Sequence, residues 1–595
     1  MNKQAAFKNG WLAVLLAAPQ LLLVLVFFYW PTGNALYWAF TLEQPFGGSN
    51  QWVGLLNFNT VFGDAKYWDS VGVSIIFGLA ATSLTLAVSL FLALLVDRRL
   101  PGHTIYSFGF FLPYAMAAPA AGLAFRFMFS PSAGFMSAVN QWWPDLWNPA
   151  INGNQALILV ILCHAWMSVG YNFVFFLAGL QSIPKPLTEA SAMDGAGVLR
   201  RMRDIQIPLL APTLFFLLII NLTNSFVDSF GIIDITTHGG PARATDLMVY
   251  KIYFDGFKAQ DYSLAAAESI VLMLLVMALT FVQFRFVERN VHYSWVRHMI
   301  ERTPILNFIT HVLLLISLFA ILVPFWIVIA ASSHDFVTVN KVPMPLLPGG
   351  HLWENLQAAW TKAHFGQAMV NSLIVAISVT AGKIILASLT AFAIVFFQLR
   401  ARMLIFWAIF ITLMLPLEVR IVPTYAVAAN VLGPFEQTLN FIGLHLHLPE
   451  WNLLNTYPGL VLPLIATATG TFLYRQFFLT IPNELSEAAK MDGSGPLRFY
   501  WQILLPLSRG NMAALAAIMF VYSWHQYLWP LLVITDPVHY ATATMQLQVL
   551  VPTGLGEPPI WNTAMAGNLI VLLPPALVSI LLQRFIVRGL IITEK

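Results

Sequence analysis

Twelve apolar runs punctuate the sequence, each of about 20 residues or more and so long enough to cross a hydrocarbon core as a helix. They fall near 11–31, 70–96, 104–128, 156–181, 207–233 and 265–287 in the first half, and near 305–331, 368–398, 403–429, 456–479, 510–534 and 563–587 in the second. In lipid every backbone polar group must be satisfied internally, so such a chain folds as an all-α bundle with twelve transmembrane helices. The first run follows Lys3 and Lys8 and could mimic a secretory signal, but Trp11 to Trp30 is long for one and further spans follow. It reads as a retained helix.

Orientation comes from lysine and arginine, which accumulate in cytoplasmic loops. With the N-terminus inside, most of the 30 basic residues, including Arg98, Arg99, Arg200, Arg201, Arg203, Arg285, Arg289, Arg400, Arg402, Arg584 and Arg588, lie at cytoplasmic ends and loops. Both termini are then cytoplasmic, and so is the polar stretch Glu288 to Thr303. The remaining composition excludes other classes. A net charge of +3 from 30 basic and 27 acidic residues leaves no basic stripe for nucleic acid. A single cysteine, Cys163, excludes an internal disulfide, and no Walker-type phosphate loop or H-E-x-x-H is present. The chain is therefore expected to bind no cofactor of its own, and any energy source lies outside it. His445 and His447 lack the further ligands that a metal site needs.

The strongest motif is an internal repeat. E-A-S-A-M-D-G-A-G-V-L-R from Glu189 to Arg200 returns as E-A-A-K-M-D-G-S-G-P-L-R from Glu487 to Arg498, an offset of 298 residues (487 minus 189), and the match continues through Ile205, Pro208 and Leu209 against Ile503, Pro506 and Leu507. Both copies lie between the fourth and fifth spans of their half, so the halves are parallel repeats. Pro184 and Pro482 end the preceding spans, an acidic first turn starts a short helix, and Asp194-Gly195 and Asp492-Gly493 break it. Gly197 and Gly495 are expected to be free to adopt a positive φ. A simple re-entry turn needs no such detailed duplication, so each copy reads as a docking surface for a cytoplasmic partner.

This pattern, E-A-A-x-x-D-G-x-G followed by I-x-L-P, resembles the coupling loop of permeases of binding-protein-dependent ATP-binding-cassette importers of the maltose type. Ala18 to Leu36, Tyr171 to Pro184, Gly239 to Tyr253 and Ser269 to Glu288 are similar to the first membrane subunit of sn-glycerol-3-phosphate importers in that family. Leu413 to Val427, Phe472 to Gly493, Gln526 to Asp536 and Gln583 to Leu590 are similar to the second. The resemblance implies a head-to-tail fusion, with one unit over 1–290 (coupling loop about 183–207), a cytoplasmic linker over 291–304 that includes the start-like Met299-Ile300-Glu301-Arg302, and a second unit over 305–595 (coupling loop about 481–505). It further implies that Glu189, Ala190, Asp194, Gly195, Gly197, Glu487, Ala488, Ala489, Asp492, Gly493 and Gly495 engage two copies of a separate cytoplasmic ATPase, which carries ATP and Mg. An external solute-binding protein delivers the cargo, and the location is a bacterial inner membrane. Ser191 in place of an alanine, His525 in place of an expected asparagine, and a long external segment 434–454 depart from the pattern.

Within the membrane Lys383 is the candidate donor for an anionic cargo, against the alternatives that it pairs with Asp228 or Glu418 or snorkels. Asn221, Asn224 and Asp228 share one helical face by their i, i+3, i+7 spacing. The repeat-related region carries Trp524, His525 and Gln526, and this pairing marks either a substrate path or interhelical glue. Glu418 and Arg420 are expected to form an exposed ion pair near the outer surface. Pro113 and Pro119 in the third span, and Pro416 and Pro423 in the ninth, remove backbone donors and are expected to bend both helices at related depths, as a gate would require. Rival readings are the same importer class carrying a glycerophosphodiester or sugar, and a twelve-helix secondary transporter. No nucleophile, base or metal constellation supports an enzyme.

Overall fold

In the computed structural model the described residues are 7–42, 50–98, 100–183, 191, 193, 197–287, 304–441, 443–444, 446–551 and 559–590. Seven helices are long and apolar enough to cross a membrane: Gly10–Ala39, Ala65–Val96, Gly153–Gln181, Tyr262–Val282, Leu306–Ser332, Phe365–Phe396 and Trp561–Leu581. Five more spans are bent pairs: His103–Ala115 with Ala118–Met128, Met202–Leu209 with Ala211–Val227, Arg402–Leu413 with Leu417–Ala429, Tyr457–Ile465 with Ala468–Thr480, and Pro496–Leu507 with Arg509–Trp524. Counting each pair as one gives twelve spans, one for each apolar run.

The bends lie where the sequence withholds helical hydrogen bonds. The third span turns by 99° and the ninth by 87°, far more than a kink. In the third, Met116 and Ala117 are extended between a 3-10 turn carrying Pro113 and a new helix with Pro119 in its first turn. In the ninth, Leu415 precedes Pro416 and leaves the helical region, as a residue before proline does. The 47° bend of the tenth span was not foreseen. There Ala466 and Thr467 are extended and Thr467 caps the second piece through Gly470. The fifth and eleventh spans also stop earlier than expected, at Val227 and Trp524, and short helices Phe230–Thr236 and Leu528–Val533 follow. Polar Asp228-Ser229 and His525-Gln526 stand at those stops, where side chains compete with the backbone ladder.

The two halves exchange their leading helices. The first span packs on the eighth and tenth spans: Ala13 and Ala17 share an apolar cluster with Phe392, Phe396 and Tyr474. Reciprocally, the seventh packs on the first half, where the Trp166 indole donates to Ile321 O at 2.9 Å and Arg98 donates to Asn307 and Thr310. The main apolar cluster draws on both halves, with Phe77, Phe127 and Phe230 beside Phe365, Trp524 and Trp561. Small residues permit the closest approaches. A Cβ on Gly170 would stand 2.9 Å from Phe111 O and 3.0 Å from Phe110 O, so the fourth span meets the third backbone to backbone.

Polar glue lies between the fourth and fifth spans, where Asn172 Nδ2 donates to Asn221 Oδ1 at 2.9 Å and Asn221 donates back. Replacing one partner strands the other in a buried site, whereas replacing both does not. Asn221→Leu is expected to cost about 1 kcal/mol, and Asn172→Leu added to it should cost less than the sum of the two. Unfolding titrations in mixed micelles check this, and simple additivity would refute the pairing.

Candidate functional site

Two regions gather the residues singled out above. The first is the duplicated E-A-x-x-M-D-G segment. In the second half the tenth span ends at Thr480, Pro482 precedes the next helix as its N-cap, and that helix runs over Asn483–Met491. Ser486 and Ala489, one turn apart, are buried against the bundle, while Glu484, Leu485, Glu487, Ala488, Met491 and Asp492 are exposed. The helix thus presents an acidic and apolar face outward, with Met491 84% exposed. Its end is a Schellman motif: Gly493 N–H donates to Lys490 O and Ser494 N–H to Ala489 O at 2.8 Å, with Gly493 at φ 73°.

Here the expectation for the glycines needs correction. Gly493 takes the left-handed conformation, because the helix terminates there; Gly495 is extended at φ −71° and caps Pro496–Phe499, and Gly197 has no positive φ either. In the first copy Gly197 is exposed, while Glu189, Ala190, Asp194 and Gly195 lie outside the described residues.

The second region is a group of polar side chains on the fifth, eighth, ninth and eleventh spans, whose exposed members we read as lining a cavity between those spans. Asn224 and Asp228 are exposed and Asn221 is buried, so the polar face of the fifth span divides into one residue that binds helices and two that meet solvent. Tyr522, 46% exposed, covers the Lys383 ammonium at 4.0 Å from its ring centroid. Its hydroxyl also lies within electrostatic reach of Glu418, Asp228 and Arg420. Groups of three other spans, the fifth, eighth and ninth, therefore lie around Tyr522. Tyr114, at the break of the third span, reaches Asp228 electrostatically and packs edge-on against His525 at 6.4 Å. His525 Nε2 bonds Ala115 O at 3.1 Å, and Gln526, half-buried, turns back to Tyr522 O.

Lys383 makes no ion pair among the described residues; it is 5% exposed and its contact is the Tyr522 ring. A cation over an aromatic face is partly compensated without an acid. Arg420 departs from the expected exposed pair. It is 3% exposed, donates to Leu415 O at 3.1 Å, Thr424 Oγ1 at 3.2 Å and Phe27 O, and stacks on Phe28 at 3.8 Å. The broken ninth span leaves carbonyls that a guanidinium can bond, and this draws Arg420 inward, away from Glu418. The acids Asp228 and Glu418 thus meet the cavity while both cations stay covered.

Just beyond the stops of the fifth and eleventh spans, Phe230 to Thr236 and Tyr527 to Pro530 are buried. There Asp234 accepts from Tyr527 Oη and from Gln548 Nε2, each at 2.6 Å, across the two halves. Beside it Lys251 Nζ meets Asp255 at 2.6 Å, Glu268 at 3.2 Å and Asp64 at 3.8 Å. Sequence reasoning missed Tyr114, Tyr522, Asp234 and this ion cluster; only the i, i+4 spacing of Lys251 and Asp255 offered a signal. Among the described residues no group of three His, Cys, Asp or Glu could hold a metal. His447 instead bonds Glu436 at 3.1 Å; His445 lies outside the described residues.

Residues 102–293 and 383–592 each match the family model of the binding-protein-dependent transport system inner membrane component. Over 292 residues, 49% of this chain, the sequence is 45% identical to the sn-glycerol-3-phosphate transport system permease protein UgpA of Agrobacterium fabrum, covering 100% of that protein. The same protein of Rhizobium meliloti is 46% identical over 292 residues, again 49% of this chain and 100% of the relative. A bacterial alginate ABC transporter, solved in complex with an alginate pentasaccharide-bound periplasmic protein, is similar at a TM-score of 0.41 and 21% identity, over 48% of this chain and 97% of that one.

The cavity predicts a labelling pattern. In a Cys163→Ala background, Asn224→Cys and Tyr522→Cys are expected to react with a charged methanethiosulfonate reagent about tenfold faster than Asn221→Cys, because the thiol must be solvated to react. Equal rates at all three positions would remove the cavity.

Proposed function

Because the chain belongs to the binding-protein-dependent transport system inner membrane component family, we propose that it forms the complete membrane pathway of an ATP-binding-cassette importer for sn-glycerol 3-phosphate. It is a multi-pass permease of the inner membrane rather than an enzyme. In this reading it comprises two permease units, 1–290 and 305–595, fused through a cytoplasmic linker over 291–304, with both termini in the cytoplasm. Two copies of a separate ATPase, carrying ATP and Mg, dock on Glu189 to Gly197 and on Glu487 to Gly495. An external binding protein delivers the solute. The observation that carries the docking role is the outward face of Asn483–Met491, whose acids and Met491 are presented to solvent with a sharp stop behind them.

Transport then follows from differential binding. If the ATPase pair binds the outward-open and inward-open states with different affinity, nucleotide-driven closure shifts the permease between them. The breaks that carry Pro113, Pro119, Pro416 and Pro423 act as the gate, since an interrupted helix can pivot where an intact one cannot. Asn224, Asp228, His525 and Gln526 line the path, with Lys383 behind Tyr522. Covered cations and exposed carboxylates keep a phosphate from settling in the cavity, which suits a pathway that must release its cargo. Selection among solutes then falls to the external binding protein.

The cargo reading draws support from the curated relatives, which are sn-glycerol-3-phosphate permeases. Asp228 and Glu418 favour one second reading, in which the hydroxyls of a glycerophosphodiester or sugar donate to those carboxylates. Uptake of labelled glycerol 3-phosphate into vesicles containing the chain, its ATPase and its binding protein tests both. Glu189→Lys with Glu487→Lys is expected to lower uptake about tenfold or more by reversing charge at the docking faces, with the protein still inserted. ATPase-dependent uptake of a labelled glycerophosphodiester or of maltose, with none of glycerol 3-phosphate, would transfer the assignment to the second reading, and uptake without the ATPase would refute the importer.

A further inference from the structure

The first span touches the second half at three separated points, and each is a place where that half is interrupted or exposed. At its start Phe7 forms a backbone bridge to the end of the eighth span, donating to Phe396 O and accepting from Gln398 N–H, both at 2.9 Å. Its ring packs on Phe397 at 5.5 Å and Phe499 at 5.8 Å, with Lys490 Nζ 5.5 Å from the ring centroid. Ala489, on the inner face of the docking helix, belongs to the same apolar cluster. Phe7 therefore lies beneath the helix Asn483–Met491. One turn past the middle, the fully buried Gln20 donates to Thr467 O at 3.1 Å and Thr471 Oγ1 at 2.8 Å, at the break of the tenth span.

The far end of this stretch, midway along Gly10–Ala39, meets the break of the ninth span. The π-helical turn Leu25–Tyr29 gives Phe27 O to Arg420, sets the Phe28 ring under its guanidinium at 3.8 Å, and sends Tyr29 Oη to Ala408 O at 2.6 Å. Arg420 holds Leu415 O in the break itself and shares the 3-10 turn Leu417–Arg420 with Glu418 of the cavity. Phe27 lies 20 residues beyond Phe7, and the chain is helical from Gly10 onward, about 25 Å of helix at 1.5 Å per residue. A helix is stiff along its axis, and π turns of this kind recur where a helix performs a function.

We propose that the first span is the mechanical link between the second docking helix and the cavity, with Phe7 and Arg420 as the positioning residues at its two ends. Displacement of Asn483–Met491 shifts Phe7, the shift runs along the span, and Arg420 carries it to the break beside Glu418. The link joins the docking site of one half to the gate of that same half through a helix supplied by the other. It rests on the docking role proposed above, and the physical warrant required of any such route is that both ends bias one two-state element, here the break at Leu413 to Leu417.

Hydrogen exchange on the intact chain in lipid nanodiscs, without partners, tests the link apart from the transport reading. Phe7→Ala is expected to raise exchange over 411–421 about threefold, because local opening there loses its brace, while Phe7→Leu stays near wild type. A change confined to 392–399 and 481–499 would overturn the proposal. Should Phe7→Ala fail to assemble, Arg420→Lys approaches from the other end, since a point charge cannot bridge the same carbonyls. It is expected to speed exchange over 483–491 about threefold, and a change restricted to 408–424 overturns the link. With the ATPase and binding protein present, Phe7→Ala should cut solute imported per ATP about threefold. An unchanged ratio means that Phe7 only supports docking and rejects the proposal. A wild-type chain that neither hydrolyses ATP with its partners nor imports solute would reject the importer reading instead, leaving the exchange result to judge the link.

Discussion

A helix interrupted inside hydrocarbon strands carbonyl and amide groups that have no water to turn to, and an unsatisfied group there costs several kcal/mol. Five spans are bent, and three of them, the third, ninth and tenth, leave the helical conformation at the break. The groups around those breaks are met by side chains from the opposite half. His525 reaches Ala115 O, Asn568 reaches Ala120 O, and Gln20 reaches Thr467 O. Arg420 does the converse, joining its own Leu415 O to Phe27 O of the first span. The breaks and the interface between the halves are consequently conditions of one another. Neither half could hold its own bent spans at low cost, and the exchange of leading helices delivers the partners to where they are required.

That mutual dependence also explains where polarity is tolerated. Positions related by the 298-residue offset (487 minus 189) carry different chemistry in the membrane: Asn224 corresponds to Tyr522, Asp228 to Gln526, and Lys383 to Thr85. The docking segments are duplicated nearly residue for residue, whereas the cavity is built from unlike pairs. The buried cations follow the same economy of burial. Arg420 spends its donors on carbonyls, Lys383 lies on an aromatic face, and Lys251 is surrounded by three carboxylates. Each arrangement offsets desolvation by a different means.

Much of this molecule was legible from its residues alone. Length and hydropathy of the apolar runs determined twelve spans, because a hydrocarbon core admits nothing else of that composition. Repetition of E-A-x-x-M-D-G marked two like helix-and-turn segments, because local helix and turn chemistry is carried by adjacent residues. Paired prolines marked the third and ninth spans as bent. What tertiary structure decided was the partner of those polar side chains in the membrane that bond across helices. The pairing of Asn221 with Asn172, the reach of Arg420 to the carbonyl of Phe27, and the cover of Tyr522 over Lys383 join residues from 49 to 393 positions apart. The break of the tenth span escaped for a related reason, since its stabilising partner, Gln20, lies in another helix. Periodicity reports which face of a helix is polar. Which group that face will meet depends on the packing of helices distant in sequence, and in a medium without water that choice settles where each charge and each broken backbone bond can reside.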